Sequence, residues 1–137
     1  MKPGEYVRLG PVERATWVLR LEPATPNDEE LVLADHDPYV RVHSAAAHLS
    51  EAALRRLHDE GDDEVKEIVG TNPWAPLDLI GSVPVSKQTG SSVAAYVERT
   101  GLADAERDVV GALVDAGAHD ARPLAQAIAE ALSGEAG

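Results

Sequence analysis

The stretch Asp35-His36-Asp37-Pro38-Tyr39-Val40-Arg41 has a second version 25 residues on, Asp62-Asp63-Glu64-Val65-Lys66, and this spacing decides the reading of the fold. At that offset Asp37 falls on Asp62, Val40 on Val65, Arg41 on Lys66 and Leu54 on Leu79. A fainter upstream copy aligns Pro23 with Pro73, Pro26 with Pro76, and Val18-Leu19 with Ile68-Val69, two periods apart. A fixed period in the range of about 20 to 50 residues marks arrays in which neighbouring units bury each other's apolar faces.

Each unit reads as a short helix pair. Asp37 before Pro38 is an N-cap followed by proline in the first turn, where the missing N–H costs nothing. The spacing predicts a helix to about Ala47, with Val40, Ser44 and Ala47 on one face. Ser50 caps the next helix, whose buried stripe is Ala53, Leu54 and Leu57. In the second unit Asp62 or Asp63 caps a helix to Thr71. Asn72-Pro73 ends it, since the residue before proline avoids the helical region. Pro76 then starts a helix carrying Leu77, Leu79 and Ile80. Asp37 with Arg41, and Asp62 with Lys66, stand in acid-then-base order at i, i+4 and predict a ladder of ion pairs.

These motifs resemble those of the leucine-rich repeat variant family, which is similar to HEAT-type α-solenoids. The residues that carry the resemblance are Asp37-Pro38-Tyr39-Val40-Arg41, Leu49-Ser50-Glu51-Ala52-Ala53-Leu54-Arg55-Arg56-Leu57 and Thr71-Asn72-Pro73-Trp74-Ala75-Pro76-Leu77. They match a D-P-x-V-R helix start and an N-P-x-x-P turn over roughly residues 22–80. The resemblance implies an all-α fold, a short right-handed α-solenoid with a helical C-terminal cap. Some members hold an iron–sulfur cluster through N-terminal cysteines; this chain has none, so that feature does not carry over.

The flanks complete the expected organisation. Residues 1–22 form an N-terminal cap or a first atypical unit. Thr16-Trp17-Val18-Leu19-Arg20-Leu21 reads either as a strand, by its β-branched and aromatic content, or as a helix, which we favour. The repeats span 23–80. Residues 81–92 read as a linker loop from their Gly, Pro and Ser content, and 93–137 as the helical cap. In that cap Ser91 or Ser92 starts a helix that Gly101 stops, residues 103–116 follow, and Asp120 caps 121–132, closed by Gly134.

Composition narrows the function. The 137 residues hold 12 basic and 24 acidic side chains, a net charge of −12, with no cysteine, no phenylalanine, two tryptophans and three tyrosines. The core is therefore aliphatic, and thiolate metal sites, disulfides and cysteine nucleophiles are excluded. Nucleic-acid binding needs clustered Lys and Arg to neutralise phosphates. Here the densest charge run is the acidic Asp59-Glu60-Gly61-Asp62-Asp63-Glu64. No membrane span or signal peptide is apparent, so a cytoplasmic location is expected.

The loop Lys87-Gln88-Thr89-Gly90-Ser91-Ser92 lacks the order of a phosphate-binding loop and reads as a linker. His36, His43, His48 and His58 cluster in sequence. His43 and His48 stand five apart and do not share a helix face as i, i+4 ligands would, so no metal ligand is assigned, no cofactor is implied and no catalytic residue is named. If 40, 43, 44 and 47 face the core, one outward stripe runs through three units. It reads Arg14, Trp17, Leu21; Tyr39, Val42, Ala46; Glu64, Glu67, Thr71. The candidate partner-binding residues are Trp17, Tyr39, Val42, Ala46, Glu64, Glu67 and Thr71. In HEAT-like arrays the corresponding helix lines the concave surface. An apolar patch rimmed by acid suggests a protein or peptide partner with an apolar anchor and a basic flank. Against it stands the alternative that the N-terminal segment folds over Trp17 and Tyr39. Homodimerisation through the same patch, a small-molecule or metal-binding role near His43 and His48, and a HEAT-like nucleic-acid enzyme are the competing functions.

Overall fold

The computed structural model describes residues 1–136, so Gly137, the last residue of the expected cap, lies outside it. Among the described residues all regular structure is helical: ten α-helices and a single 3-10 turn. In chain order they are α1 (Pro3–Tyr6), α2 (Pro11–Leu19), α3 (Pro26–Ala34), α4 (Pro38–Ser44), α5 (Glu51–Glu60), α6 (Asp63–Gly70), α7 (Leu77–Ser82), the 3-10 turn (Val85–Lys87), α8 (Gly90–Thr100), α9 (Asp104–Asp115) and α10 (Leu124–Ala136). None of them is long and apolar enough to cross a membrane.

Local chemistry fixes where most of these helices begin. Proline occupies the first turn of α1 to α4, where a donor would be orphaned anyway. The Thr25 hydroxyl accepts from Asp28 N–H and the Asp28 carboxylate accepts from Thr25 N–H, a reciprocal capping box for α3. The Asp37 carboxylate accepts from Tyr39 N–H at 2.9 Å, Ser50 Oγ from Ala53 N–H at 3.2 Å, and Asp62 from Val65 N–H at 3.0 Å. Gly101 stops α8 in the left-handed conformation, φ 69°, which glycine adopts without steric cost.

Residues 1–22 hold two helices, α1 and α2, and no strand. Ala15 and Val18 turn one face of α2 into the core, and the strand alternative falls. Helix α2 packs on α4 and α4 on α6, while α3 packs on α5 and α5 on α6. Helix α7 joins this body to α8 and α10, and α10 packs on α9. The core between them is aliphatic, as a chain without phenylalanine requires: Val18, Val32, Leu49, Leu54, Leu57, Val69, Ile80 and Leu124 are all fully buried. Each such leucine contributes roughly 2 kcal/mol relative to exposure.

Side chains bond across the turns between helices. Asn72, 3% exposed, donates through Nδ2 to the carbonyls of Ala45 at 2.8 Å and Ala47 at 2.9 Å. Arg99 of α8 does the same one turn further on. It donates to the carbonyls of Pro73 at 3.0 Å and Ala75 at 2.7 Å and pairs with Glu51 at 2.7 Å. Both satisfy carbonyl groups beyond a helix end, although that of Ala47 also accepts from Leu49 N–H at 3.0 Å.

Six local expectations are corrected. Helix α4 stops at Ser44 instead of Ala47, because the carbonyls of Ala45 and Ala47 are taken by Asn72. The ion-pair ladder does not form. Asp37 and Asp62 spend their oxygens as caps, and Arg41 reaches the Asp35 carbonyl at 3.1 Å and Glu60 at 3.7 Å. Residues 81–92 are more ordered than a plain linker. They hold the end of α7, the 3-10 turn and the buried Val83 and Val85. Thr89, not Ser91 or Ser92, caps α8, with Ser92 as its capping-box partner. At the far end α10 starts at Leu124 and not after Asp120. Residues 120–124 lie antiparallel to 83–86 about a single bridge between Pro84 and Pro123, with Ser86 N–H bonded to Asp120 O, Val85 N–H to Arg122 O and Leu124 N–H to Val83 O, each at 3.0 Å. Asp120 instead binds its neighbour Arg122, a pairing that holds its carboxyl below the usual range. Helix α10 also runs past Gly134 to Ala136.

Candidate functional site

The outward stripe lies on α2, α4 and α6, and its members meet different fates. Trp17 is half-buried and sits edge-on to Tyr6, ring centroids 5.5 Å apart at 64°, because α1 folds back over α2. Leu21 and Val42 are half-buried, and Val42 packs on the core. Tyr39 is 45% exposed. Its ring packs on His43, one turn along α4, with centroids 4.3 Å apart, and the His43 Nδ1 lies 2.8 Å from the Tyr39 carbonyl. Ala46 is exposed in the turn beyond α4. On α6, Glu64 and Glu67 are exposed, Glu67 lies 3.7 Å from Lys87, and Thr71 is half-buried with its hydroxyl donating back to Glu67 O and Ile68 O. The open surface is therefore Tyr39, Ala46, Glu64 and Glu67. Trp17, Val42 and Thr71 stand partly behind it.

A second aromatic pair lies on the turns that follow α4 and α6. Trp74, 43% exposed, stacks on His48 with centroids 4.0 Å apart and planes at 14°. The stack joins the turn after α4 to the turn after α6, the same two turns that Asn72 links. Asn72 Oδ1 accepts from Trp74 N–H at 2.9 Å and so holds the base of the indole. Sequence register alone did not bring these rings together: at a spacing of 25, His48 falls on Pro73 and Trp74 on Leu49. The signal available was an aromatic residue between two prolines, Pro73 and Pro76, in a turn too short to bury it.

A polar network lies at the other end of α2. The Tyr6 hydroxyl donates to Asp35 Oδ2 at 2.5 Å, and Asp37 N–H donates to Asp35 Oδ1 at 3.0 Å. Arg14 Nε stands 3.5 Å from Asp35 Oδ2, Arg14 Nη2 4.0 Å from Asp37 Oδ2, and the guanidinium carbon 5.7 Å from the Tyr6 ring. Burial, then the hydrogen bond to the Asp35 carboxylate, push the Tyr6 phenol well above its ordinary value. A phenol held neutral in this way is a donor, not a base or nucleophile near neutral pH. The network floors a cleft of about 630 Å³ between α1, α2 and α3. Tyr6 and Asp35 are 29 residues apart, and no motif spacing announces the pair.

No three His, Asp or Glu side chains among the described residues converge as they would on a metal ion. His43 packs at a tilt against Tyr39, and His48 stacks on Trp74. No family model, curated protein or solved structure matches this chain.

Proposed function

We propose that the chain is a short right-handed α-solenoid of variant leucine-rich or HEAT-like units, capped by α8 to α10, and that it acts in the cytoplasm as a non-catalytic module binding a protein or peptide partner. The packing of α2 on α4 on α6, beside α3 on α5, supports the solenoid reading. The binding face runs along α2, α4, α6 and the turns after α4 and α6, and includes Trp17, Tyr39, Val42, Ala46, Glu64, Glu67 and Thr71. The observation that carries the proposal is the pair of exposed aromatic rings, Trp74 stacked on His48 and Tyr39 packed on His43. Large rigid aromatic rings left open to solvent are the side chains that most often anchor interfaces. The exposed carboxylates of Glu64 and Glu67 suit a partner with a basic flank, whose rate of encounter they would raise.

Affinity capture from a lysate of the source cell tests this, with wild type beside Trp74→Ala, Tyr39→Ala and the double charge reversal Glu64→Lys/Glu67→Lys, all at exposed positions. A partner retained by wild type, lost by Trp74→Ala and Tyr39→Ala at unchanged helical content, and weakened by the charge reversal is the expected result. A partner held equally by all four baits refutes this face as its site.

A further inference from the structure

Charge is divided unevenly along the chain. Residues 1–20 carry four basic and two acidic side chains, a net +2, whereas residues 21–137 carry eight basic and 22 acidic, a net −14. Lys2, Arg8 and Arg20 are exposed and enter no ion pair among the described residues. The same segment leaves apolar side chains in water: Val7, Val12 and Leu19 are 71%, 61% and 46% exposed. Val12, Thr16 and Leu19 stand at i, i+4 and i+7 on the open face of α2, and Arg20 follows directly. Val7 and Lys2 line the cleft between α1, α2 and α3. Exposed apolar side chains grouped with unpaired cations mark a docking surface.

The chain also holds the complement of that surface. Glu64 and Glu67 are exposed on α6, and Trp74 stands open in the turn that follows. This face suits an apolar anchor with a basic flank, and residues 1–20 present both. An anionic membrane would attract Lys2, Arg8 and Arg20 but repel the −14 of the remaining chain, whereas a second copy meets them with carboxylates. We propose that the partner of the α6 face is a second copy of this chain, joined head to tail, an assignment that rests on the binding-face reading and supplies its partner. Helices α1 and α2 of one copy dock on α6 and the Trp74 turn of the next. The contact joins two different surfaces, so a pair of copies keeps one of each free and further copies can add. At physiological ionic strength the Debye length is about 8 Å, so charges at the joint outweigh repulsion between the distant parts of two acidic chains.

Sedimentation of the full chain from about 10 μM to about 1 mM tests the proposal. The average mass should rise with concentration above that of one chain. Val12→Glu on one surface and Trp74→Ala on the other, both at exposed positions, should each weaken the association by at least about tenfold. The charge reversal Arg8→Glu/Arg20→Glu should weaken it too, and keeps the test valid if Val12→Glu does not fold. A mixture of Val12→Glu and Trp74→Ala should form a two-chain species and nothing larger, since each supplies the surface the other lacks. A single-chain mass at every concentration overturns the proposal. Association that Val12→Glu and Trp74→Ala both leave intact overturns it as well, and so does a mixture that stays monomeric, the mark of a like-with-like contact. If the chain stays single while Trp74 still holds a lysate partner, self-association falls and the binding face stands.

Discussion

Replacing Asn72 by alanine removes one side chain that serves three backbone groups. Two are the carbonyls of Ala45 and Ala47, whose residues are 0% and 2% exposed, and the third is the N–H of Trp74. A buried polar group left without its partner costs about 1–3 kcal/mol. The Trp74 amide is nearest solvent and recovers water, so it adds least. The two carbonyls share a single donor group, which makes their losses less than additive. The Ala47 carbonyl also accepts from Leu49 N–H at 3.0 Å and keeps that bond, so the Ala45 carbonyl carries most of the loss. The expected cost of Asn72→Ala is therefore about 1–3 kcal/mol, against a total of about 7–20 kcal/mol for a chain of this length. Urea unfolding followed by circular dichroism should show the midpoint falling by about 0.5–1.5 M with the slope unchanged. Asn72→Asp should be worse, since it turns an acceptor toward two carbonyls. Thr71→Ala, whose hydroxyl bonds only to carbonyls of its own helix, should cost much less. A loss below about 1 kcal/mol for Asn72→Ala, or wild-type stability for Asn72→Asp, would refute the claim that this residue locks the two turns together.

Two further outcomes follow from single contacts. A methyl group added at the buried Gly70 would run into the Val83 side chain, so Gly70→Ala should destabilise by about 1–3 kcal/mol; a double-mutant cycle with Val83→Ala should show favourable coupling, and strict additivity would contradict the contact. The Tyr6 phenol has a raised value in the folded state, so its contribution is fully present below the ordinary tyrosine value of 10.0 and is lost as pH rises above it. Urea midpoints at pH 9 and pH 11 should fall more for wild type than for Tyr6→Phe, and equal falls would show that Tyr6 titrates normally.

What the sequence made legible was chemistry acting over a few residues. Asp37, Ser50 and Asp62 are N-caps because a short oxygen-bearing side chain meets amides two or three positions on, and Gly101 stops α8 because a left-handed residue needs no distant partner. The end of α4 was not legible: Ala45 to Ala47 are good helix formers, and their turn is set by an amide 25 to 27 positions away. The start of α10 was hidden for the same reason, since Arg122 and Asp120 give their carbonyls to Val85 and Ser86. In the candidate face, helical register placed Tyr39, Ala46, Glu64 and Glu67 at the surface. Trp17 could be judged only once α1 brought Tyr6 against it. Arg14, Asp35 and Tyr6 carry no local signal at all, because their meeting is created by three helices at once.

The three backbone bonds between residues 83–86 and 120–124 also bear on how the chain can change length. They pin both ends of an excursion that contains α8, α9 and the exposed bend at Gly101 and Ala103. Lengthening a loop whose ends are already fixed costs only a logarithmic entropy, with each doubling adding roughly 0.6 kcal/mol. The bend between α8 and α9 is thus where inserted residues, or a grafted peptide, would be absorbed without α1 to α7 or α10 registering the change.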